Sequence, residues 1–253
     1  MRYFIVHKQD EKSLNVKNEI LKKFNGILDE DMPEVVFSIG GDGTVLDVIG
    51  KYQDRIEAIL IVSIHTGNLG FYTEFLPNEI DHMLKLLAQD KEVVEYALLA
   101  YEVSNHKGYA LNELTISGQH HMIKAEVYID ETYLMQTRGN GICISTPTGS
   151  TAYNKALGGA VLDNDLKAIQ LTLIAPFETA GNKVIYPLVI SDKHEFVIKP
   201  SNPKVDLSFD RRYLSVEDGN EIKVKLSDVY VKFLKNHKHG FANRINKTFI
   251  GNN

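Results

Sequence analysis

The sequence predicts an α/β N-terminal domain with a parallel sheet, followed by a mostly-β, sandwich-like C-terminal domain. In the first third of the 253 residues, short apolar runs alternate with longer amphipathic stretches, which is typical of parallel strands joined by helices. From about residue 93 onward, apolar residues recur at every second position, which indicates successive antiparallel strands. We therefore expect domains at residues 1–93 and 94–230, and a tail, residues 231–253, that packs back on the body.

The first domain is predicted to contain three strands and three helices. Its strands are nearly all apolar and rich in β-branched side chains, as strands buried on both faces should be, and they cover residues 2–7, 35–39 and 58–64. Amphipathic segments predict helices at residues 11–24, 44–53 and 77–89. Pro77 stands at the first position of the last helix, where its missing N–H is tolerated.

The second domain is predicted to consist of many short strands. Alternating segments cover residues 96–104, 109–117, 124–130, 132–138, 141–146, 168–175, 194–200, 221–227 and 229–235. Asp130-Glu131 and Asp218-Gly219 are typical of hairpin turns between neighbouring strands. The close spacing of the strands favours a sandwich-like or barrel-like arrangement, with one helix at residues 151–160.

Composition and charge disfavour several classes of function. The formal net charge of −5 gives no electrostatic reason to propose nucleic acid or an anionic membrane as a partner. Cys143 is the only cysteine, so an intramolecular disulfide is impossible, and we expect a cytoplasmic protein with this cysteine in its core. No apolar run approaches membrane-spanning length and the first residues lack a signal-peptide core, so we expect neither export nor membrane insertion.

A glycine-rich loop, Gly40-Gly41-Asp42-Gly43-Thr44, directly follows a predicted strand, where ligands bind in open parallel sheets. Its glycines lack the Cβ atoms that would keep a polyphosphate away from backbone N–H groups, and Thr44 can cap the next helix or donate a hydrogen bond. Phosphate would repel Asp42 unless that carboxylate holds Mg²⁺ or takes a proton from an attacking hydroxyl. The alternative is a tight turn in which Asp42 accepts hydrogen bonds from local amides.

Two further loops carry candidate ligand contacts. Residues 65–71 follow the predicted strand 58–64, so this loop and the glycine-rich loop can face one cleft. Residues 145–153 (STPTGSTAY) contain five serine and threonine hydroxyls beside a glycine, a dense supply of donors for phosphate or ribose oxygens. Tyr153 could stack on a base or bond through its hydroxyl. A simple helix cap would also explain a segment rich in Ser and Thr.

Together with the pair Asn112-Glu113, these motifs resemble, in this order, the NAD kinase family of the ATP- or polyphosphate-dependent bacterial type. The resemblance covers most of the chain. GGDGT is shared with a wider superfamily of lipid and sugar kinases, whereas STPTGSTAY combined with the Asn-Glu pair is more specific. The resemblance implies transfer of a phosphoryl group from ATP or polyphosphate to the 2′-hydroxyl of the adenosine ribose of NAD, with a divalent metal ion, expected to be Mg²⁺, as cofactor.

The resemblance also implies roles for single residues. Asp42 matches the general base for the ribose hydroxyl, and the remainder of its motif matches the phosphate-facing loop, which comprises Gly40, Gly41, Gly43 and Thr44. Asn112 and Glu113 match the pair that holds the ribose hydroxyls, although a structural pair at a strand bend is the alternative. Phe71 matches an aromatic residue beside the adenine, and its default interpretation is a core residue.

The residues that match the lining of the dinucleotide site are Thr148, Thr151, Ala152 and Tyr153. Tyr153 is expected to reach across a subunit boundary, which implies a homodimer or homotetramer. Arg138 corresponds to a basic residue near the new 2′-phosphate, with a plain surface arginine as the alternative. The family has an aspartate where this chain has Asn140, which keeps the hydrogen-bonding reach but loses the charge, and Asp210 is a further candidate in the same cleft.

Other hypotheses remain beside NAD phosphorylation. A lipid or sphingoid kinase of the same superfamily is disfavoured because no long apolar acceptor pocket is evident in the sequence. A non-catalytic sensor that binds NAD(H) or NADP(H) gains support from Asn140. No spacing of His, Cys or carboxylates resembles a structural zinc site, the ligands of the expected metal are undetermined, and His120-His121 is expected at an exposed hairpin edge.

Overall fold

The computed structural model describes residues 1–67, 70–89, 92–118, 121–178, 183–217, 221–236 and 240–251. The predicted turn Asp218-Gly219 and His120 lie outside the described residues, whereas His121 is exposed. The internal contacts divide the chain into two units, one formed by Met1–Tyr96 with Tyr230–Asn253 and the other by Ala97–Val229. None of the helices in the described ranges is long and apolar enough to cross a membrane.

The first unit is an α/β domain built on a parallel sheet. In chain order its elements are β1 (Arg2–His7), α1 (Glu11–Lys23), β2 (Ile27–Leu28), β3 (Val35–Gly40), α2 (Asp42–Lys51), β4 (Leu60–His65) and α3 (Ile80–Ala88), with 3₁₀ turns at Gln53–Ala58 and Pro77–Glu79. The strand order is β2-β1-β3-β4, and all of these pairs are parallel. The three predicted strands and three predicted helices are confirmed, and their ends agree to within two residues except at the start of α3, where Pro77–Glu79 forms a 3₁₀ turn before the helix begins at Ile80. The short edge strand β2 was missed.

Local chemistry explains where these elements begin. Asp10 caps α1 by accepting a hydrogen bond from the Ser13 amide at 2.8 Å. The apolar face of α1, with Val16 and Ile20, packs in one core with Phe37 of β3 and other strand residues. Gly40 at the end of β3 pairs with His65 at the end of β4. The two loops that follow these strands therefore start side by side at the carboxyl edge of the sheet.

The second unit is mostly β. The elements from residue 93 onward are β5 (Val93–Val103), β6 (His106–Ala110), β7 (Glu113–Gly118), β8 (Ile123–Ile129), β9 (Thr132–Gly139), β10 (Gly141–Ser145), α4 (Tyr153–Ala156), β11 (Ala168–Ile174), β12 (Leu188–Ser191), β13 (Glu195–Pro200), β14 (Lys204–Phe209), β15 (Arg212–Glu217) and β16 (Ile222–Leu234). The chain then forms α5 (Phe241–Ile245) and a π-helical turn (Asn246–Ile250), both grouped with the first unit.

Two antiparallel sheets form this second unit and share one apolar core, as the sandwich-like prediction requires. One sheet has the order β12-β11-β10-β7-β14-β15, and in the other β13 pairs with β16 and β8, and β8 pairs with β9. The core contains residues of both sheets, such as Ile116, Ile144, Val127 and Ile198. The hairpin turn predicted at Asp130-Glu131 is confirmed, because Ile129 pairs with Thr132 across it.

Several predictions for the second unit were wrong. The helix expected at residues 151–160 is a 3₁₀ turn, Thr148–Thr151, followed by the single turn of α4, because Gly158 takes a left-handed conformation with φ +83° and ends it. The segment 109–117 is two strands, β6 and β7, whereas 221–227 and 229–235 form the single strand β16. The strands β12, β14 and β15 were missed.

Candidate active site

Asp42 is the first residue of α2, and the loop after β4 holds its carboxylate from two neighbouring amides. Oδ2 accepts a hydrogen bond from the Phe71 N–H at 2.8 Å, and Oδ1 accepts one from the Tyr72 N–H at 3.0 Å. The two loops that the sequence placed at one edge of the sheet thus meet at this carboxylate. Asp42 remains partly exposed, so the two amides orient its carboxylate without enclosing it.

The surroundings of Asp42 require small residues. A Cβ atom at Gly70 would overlap the Asp42 carboxylate, so the loop can approach it only with glycine at that position. Gly41 caps α2 without a side-chain hydrogen bond, and Asp42 places its carboxylate in the first turn, at the positive end of the helix dipole. Thr44, predicted to face phosphate, is buried, and its hydroxyl lies against Gly40.

Phe71 lies between the Asp42 loop and the end of the chain. Its ring is partly buried and packs at a tilted angle on the ring of Phe249, with 5.6 Å between the centroids. Its amide is one of the two donors to Asp42. Phe71 thus packs on another aromatic ring while part of its side chain stays exposed. Its predicted position beside the adenine stays a prediction.

A second cluster of predicted residues forms where β7 begins and the antiparallel strands β10 and β14 end. Glu113 begins β7 and pairs with Ser145 of β10, while Asp210 follows β14 in the turn before β15. Both oxygens of Asp210 accept backbone hydrogen bonds, from the N–H groups of Leu111 and Asn112, each at 2.8 Å. Asp210 has φ +53°, a left-handed conformation that Asp tolerates better than most residues. It therefore shapes the bend that carries the Asn112-Glu113 pair.

Glu113 and Asp210 are two carboxyl groups buried close together. Burial, and to a lesser degree the negative charge of Asp210, raise the pKa of Glu113 to about 8, although a hydrogen bond from the Tyr153 amide acts in the opposite direction. Burial also raises the pKa of Asp210, but hydrogen bonds from three amides and the charge of Arg212 favour its ionised form. The Glu113 Oε2 atom is buried without a hydrogen-bond partner among the described residues. Glu113 therefore retains its proton at neutral pH.

Several hydroxyls of the 145–153 segment form hydrogen bonds within the protein. Thr146 Oγ1 donates to the Leu111 carbonyl at 2.6 Å and accepts from the Gly149 amide at 3.0 Å. Thr151 Oγ1 donates to the Thr148 carbonyl, and Ser150 Oγ accepts from the Leu162 amide. The predicted role of this segment as a supply of donors for phosphate or ribose oxygens stays a prediction, and Ser145 Oγ is buried without a hydrogen-bond partner among the described residues.

Gly149 ties this segment to the Asn112-Glu113 pair. A Cβ atom at Gly149 would overlap the main chain of Asn112, and the Asn112 carbonyl accepts the Thr146 amide at 2.9 Å. The structure thus brings together, in what we call the Glu113 cluster, Asn112, Glu113, Asp210, Thr148, Thr151, Ala152 and Tyr153. Tyr153 is 43% exposed although its amide faces Glu113.

Arg138 and Asn140 stand outside the hydrogen bonds of the Glu113 cluster. Both side chains are exposed, at the end of β9 and in the link to β10. Their main chains are fixed, because the Arg138 carbonyl accepts the Phe177 amide at 2.7 Å and the Asn140 amide donates to the Ile174 carbonyl at 2.8 Å. Their roles as phosphate and nicotinamide contacts stay predictions.

Arg244 is a buried residue that the sequence did not reveal. It forms hydrogen bonds to the same loop whose amides hold Asp42. It was assigned only to a basic tail, yet it is 3% exposed and donates to main-chain carbonyls of residues 70 and 73. The only signal in the sequence is its position among apolar residues of the segment FANRINKTFI, which is unusual for a solvated charge.

Comparisons with known proteins match both parts of the chain. Residues 4–93 match the model of the ATP-NAD kinase N-terminal domain, and residues 111–238 match that of the ATP-NAD kinase C-terminal domain. The chain is 35% identical over 263 residues to the NAD kinase of Lactobacillus acidophilus, covering 100% of this chain and 98% of the relative. It is 37% identical over 268 residues to NAD kinase 1 of Bacillus subtilis, covering 99% of each.

Solved structures show the same fold. A yeast NADH kinase complexed with NADH superposes with a TM-score of 0.84 at 19% identity, covering 100% of this chain and 88% of the yeast chain. An NAD kinase from Archaeoglobus fulgidus in complex with ATP superposes with a TM-score of 0.79 at 26% identity, covering 94% and 95% of the two chains.

Proposed function

The chain belongs to the NAD kinase family, and we propose that Asp42 is the base of its phosphoryl transfer. It is a phosphotransferase that converts NAD to NADP with ATP as phosphoryl donor. The observation that carries the role of Asp42 is its geometry. A partly exposed carboxylate stands at the N-terminus of α2 and is oriented by two consecutive amides.

The proposed step uses the oxygen lone pairs that the two amides leave available. The 2′-hydroxyl oxygen of the adenosine ribose attacks the γ-phosphorus of ATP, the bond to the β–γ bridging oxygen breaks, and ADP leaves. The hydroxyl proton passes to the Asp42 carboxylate, which has about four acceptor positions, two of them filled here. Since a carboxylate is a weak base for an alcohol, its benefit comes from positioning and from late proton transfer in a loose transition state.

Residues of the Glu113 cluster are proposed to bind the dinucleotide. A protonated Glu113 can both donate and accept, which suits a ribose hydroxyl, and its Oε2 has no partner among the described residues. Asn112 offers an amide beside it. Thr148, Thr151 and Ala152 would contribute backbone groups, because the two threonine hydroxyls bond within the protein. Asp210 would act indirectly, by fixing the bend at residues 111–113.

The exposed groups have proposed roles that rest on the family match. Arg138 would grip the new 2′-phosphate with its guanidinium fork, and Asn140 would contact the nicotinamide end. Tyr153, 43% exposed, would contact a neighbouring subunit, so we propose a homodimer or homotetramer. Polyphosphate as a second donor and a cytoplasmic location are likewise proposals, the latter supported by the buried free thiol of Cys143.

A divalent cation, expected to be Mg²⁺, would neutralise charge on the transferred phosphate. Within the described ranges, no group of three or more His, Cys, Asp or Glu side chains could hold a metal ion. The protein residues therefore do not form a metal site of their own there, and we propose that Mg²⁺ binds chiefly through nucleotide phosphates. The roles assigned above to protein groups do not depend on the ion.

The test is a coupled assay for NADP formation from NAD, ATP and Mg²⁺ by the parent chain, Asp42→Asn and Asp47→Asn. Asp47 is an exposed residue of the same helix and serves as the matched control. We expect Asp42→Asn to lower kcat by ~10²–10⁴-fold with the fold retained, because the amide cannot accept the proton. The control should keep parental turnover.

Other outcomes separate the competing hypotheses. Parental turnover from Asp42→Asn would contradict the assignment of the base. NAD binding without product from the parent chain would favour the sensor, and phosphorylation of a lipid or sphingoid base in an acceptor screen would favour the other kinase class. The match of residues 111–238 to the ATP-NAD kinase C-terminal domain favours NAD over those acceptors.

A further inference from the structure

One peptide group connects Asp42 with a buried arginine. The N–H of Phe71 donates to Asp42 Oδ2 at 2.8 Å, and the carbonyl of Gly70, at the other end of the same peptide bond, accepts from Arg244 Nη1 at 2.9 Å. The carboxylate and the guanidinium thus lie on opposite sides of the peptide between residues 70 and 71. Because the C=O and N–H of a trans peptide point in opposite directions, each contact fixes the orientation that the other requires.

Several hydrogen bonds hold the buried side chain of Arg244 in this position. The same Nη1 donates to the Thr73 carbonyl at 2.7 Å, while Nη2 forms an ion pair with Glu74 Oε1 at 2.5 Å. The side chains of Arg244 and Glu74 are 3% and 5% exposed. A buried arginine is stable only when its charge and donors are matched, and here the donors meet two carbonyls and one carboxylate.

The partner carboxylate is itself anchored. Glu74 Oε2 accepts the Asn236 amide at 3.0 Å, and the Asn236 side chain donates to the Glu74 carbonyl at 3.0 Å. The Glu74 amide bonds to Ser63 of β4. The guanidinium is therefore held at a fixed position relative to the sheet. Its hydrogen bonds to residues 70 and 73 consequently fix the loop to the sheet.

The loop at residues 70–73 needs this stabilising contact because it contains Gly70. Gly70 must lack a Cβ to approach Asp42, but glycine also allows the peptide that follows it to rotate most freely. A rotated peptide would withdraw its N–H from Asp42 and turn a carbonyl oxygen toward the carboxylate. The charge of Arg244 opposes that rotation, and it polarises the peptide so that its N–H becomes a stronger donor.

We propose that Arg244 is a positioning residue for phosphoryl transfer, which holds Asp42 in its reactive orientation through the peptide between Gly70 and Phe71. This inference rests on the proposed role of Asp42 as base. It assigns to the C-terminal segment a part in the reaction, although Arg244 itself touches neither substrate nor reacting atoms.

The first test measures the peptide directly, without turnover. With ¹⁵N-phenylalanine labelling, the amide proton of Phe71 should resonate far downfield in the parent chain, as expected for a donor to a carboxylate. We expect Arg244→Met to move this resonance upfield and to speed its hydrogen exchange at least ~10-fold, with Arg244→Lys intermediate. An unchanged Phe71 resonance and exchange rate in folded Arg244→Met would overturn the proposal.

The second test measures turnover in a double-mutant cycle of Asp42→Asn and Arg244→Met. Arg244→Met should lower kcat by ~10–100-fold while KM for NAD stays near the parental value, since a small misplacement of a catalytic group has effects of that order. In the Asp42→Asn background the same change should have little further effect, because both act through one carboxylate. Arg244→Lys, which retains the buried charge, should keep more turnover than Arg244→Met.

Arg55→Met is the matched control. Arg55 also donates to main-chain carbonyls, of Asp31 and Pro33, but it lies beyond the far end of α2 from Asp42. It should keep parental kcat. Two results would overturn the role of Arg244 and leave the proposed base intact. In the first, Asp42→Asn has a low kcat but Arg244→Met keeps the parental kcat. In the second, the reductions in kcat caused by the two substitutions multiply fully in the double variant. Parental turnover from Asp42→Asn would instead overturn the proposed function, and this inference with it.

Discussion

Replacing Glu113 by Gln should remove a loss of stability that the folded chain undergoes as the pH rises toward 8. Burial raises the pKa of Glu113 to about 8 in the folded state, from an ordinary value of 4.5. The folded protein therefore binds this proton more tightly than the unfolded chain. The resulting stabilisation is fully present below pH ~4.5 and is lost as the pH rises through ~8, with a slope of ~1.4 kcal/mol per pH unit.

The difference between the two pKa values sets an upper limit of ~5 kcal/mol on this contribution. Because Glu113 and Asp210 interact, part of the effect is shared by the pair, and we expect the free energy of unfolding to fall by ~1–3 kcal/mol between pH 5.5 and 7.5 on account of Glu113. Glutamine is neutral at every pH and nearly isosteric. The stability advantage of the variant over the parent should therefore be smallest at pH 5.5 and should grow steadily toward pH 8.5.

The assay is urea unfolding at several pH values between 5.5 and 8.5, followed by far-UV circular dichroism because the chain contains no tryptophan. The informative quantity is the difference in unfolding free energy between Glu113→Gln and the parent, since other titrating groups cancel in it. Glu131→Gln, at an exposed position in the β8–β9 turn, is the matched control. A Glu113→Gln difference that stays constant across this pH range would refute the claim that Glu113 is protonated in the folded state.

Two further predictions concern the supports of the Glu113 cluster. Asp210→Asn should destabilise the fold by ~1–3 kcal/mol, measured by urea unfolding, because one amide oxygen cannot replace two carboxylate oxygens for the N–H groups of Leu111 and Asn112; an effect below that of an exposed substitution would contradict this. Gly149→Ala should lower stability by ~2–4 kcal/mol, or prevent folding, because its Cβ would overlap the Asn112 main chain, and a parental melting temperature would count against that packing.

The sequence predicted the first unit well because its signals are local. The strand before Gly40 and the helix after it are each marked by apolar periodicity, and the turn between them is marked by its glycines. The second unit was predicted less completely. The strands β14 and β15 were missed although residues 204–209 alternate and Asp210-Arg211 is a turn of the same kind as Asp130-Glu131.

The contacts that set the chemistry are long-range, and local patterns carry no record of them. Arg244 is 174 residues from the Gly70 carbonyl that it binds, and the Leu111 amide is 99 residues from Asp210. The burial that raises the pKa of Glu113 arises only when β7 is enclosed by its neighbouring strands. In the hydroxyl-rich segment 145–153 the composition is visible in the sequence, but the main-chain groups that bond to Thr146, Ser150 and Thr151 are not.

Asp42, the proposed base, and Asp210 differ in exposure although their hydrogen bonds are similar. Both carboxylates accept hydrogen bonds from consecutive backbone amides at 2.8–3.0 Å, Asp42 from residues 71 and 72 and Asp210 from residues 111 and 112, and the amide of residue 113 also favours the ionised form of Asp210. The Asp210 side chain is 1% exposed, so its remaining lone pairs face protein and it can only fix a bend. Asp42 is partly exposed, so the same pair of amides leaves it oriented and open to a substrate hydroxyl. Backbone amides orient both carboxylates. The buried one, Asp210, can only stabilise the fold, whereas the partly exposed one, Asp42, is accessible for the reaction proposed here.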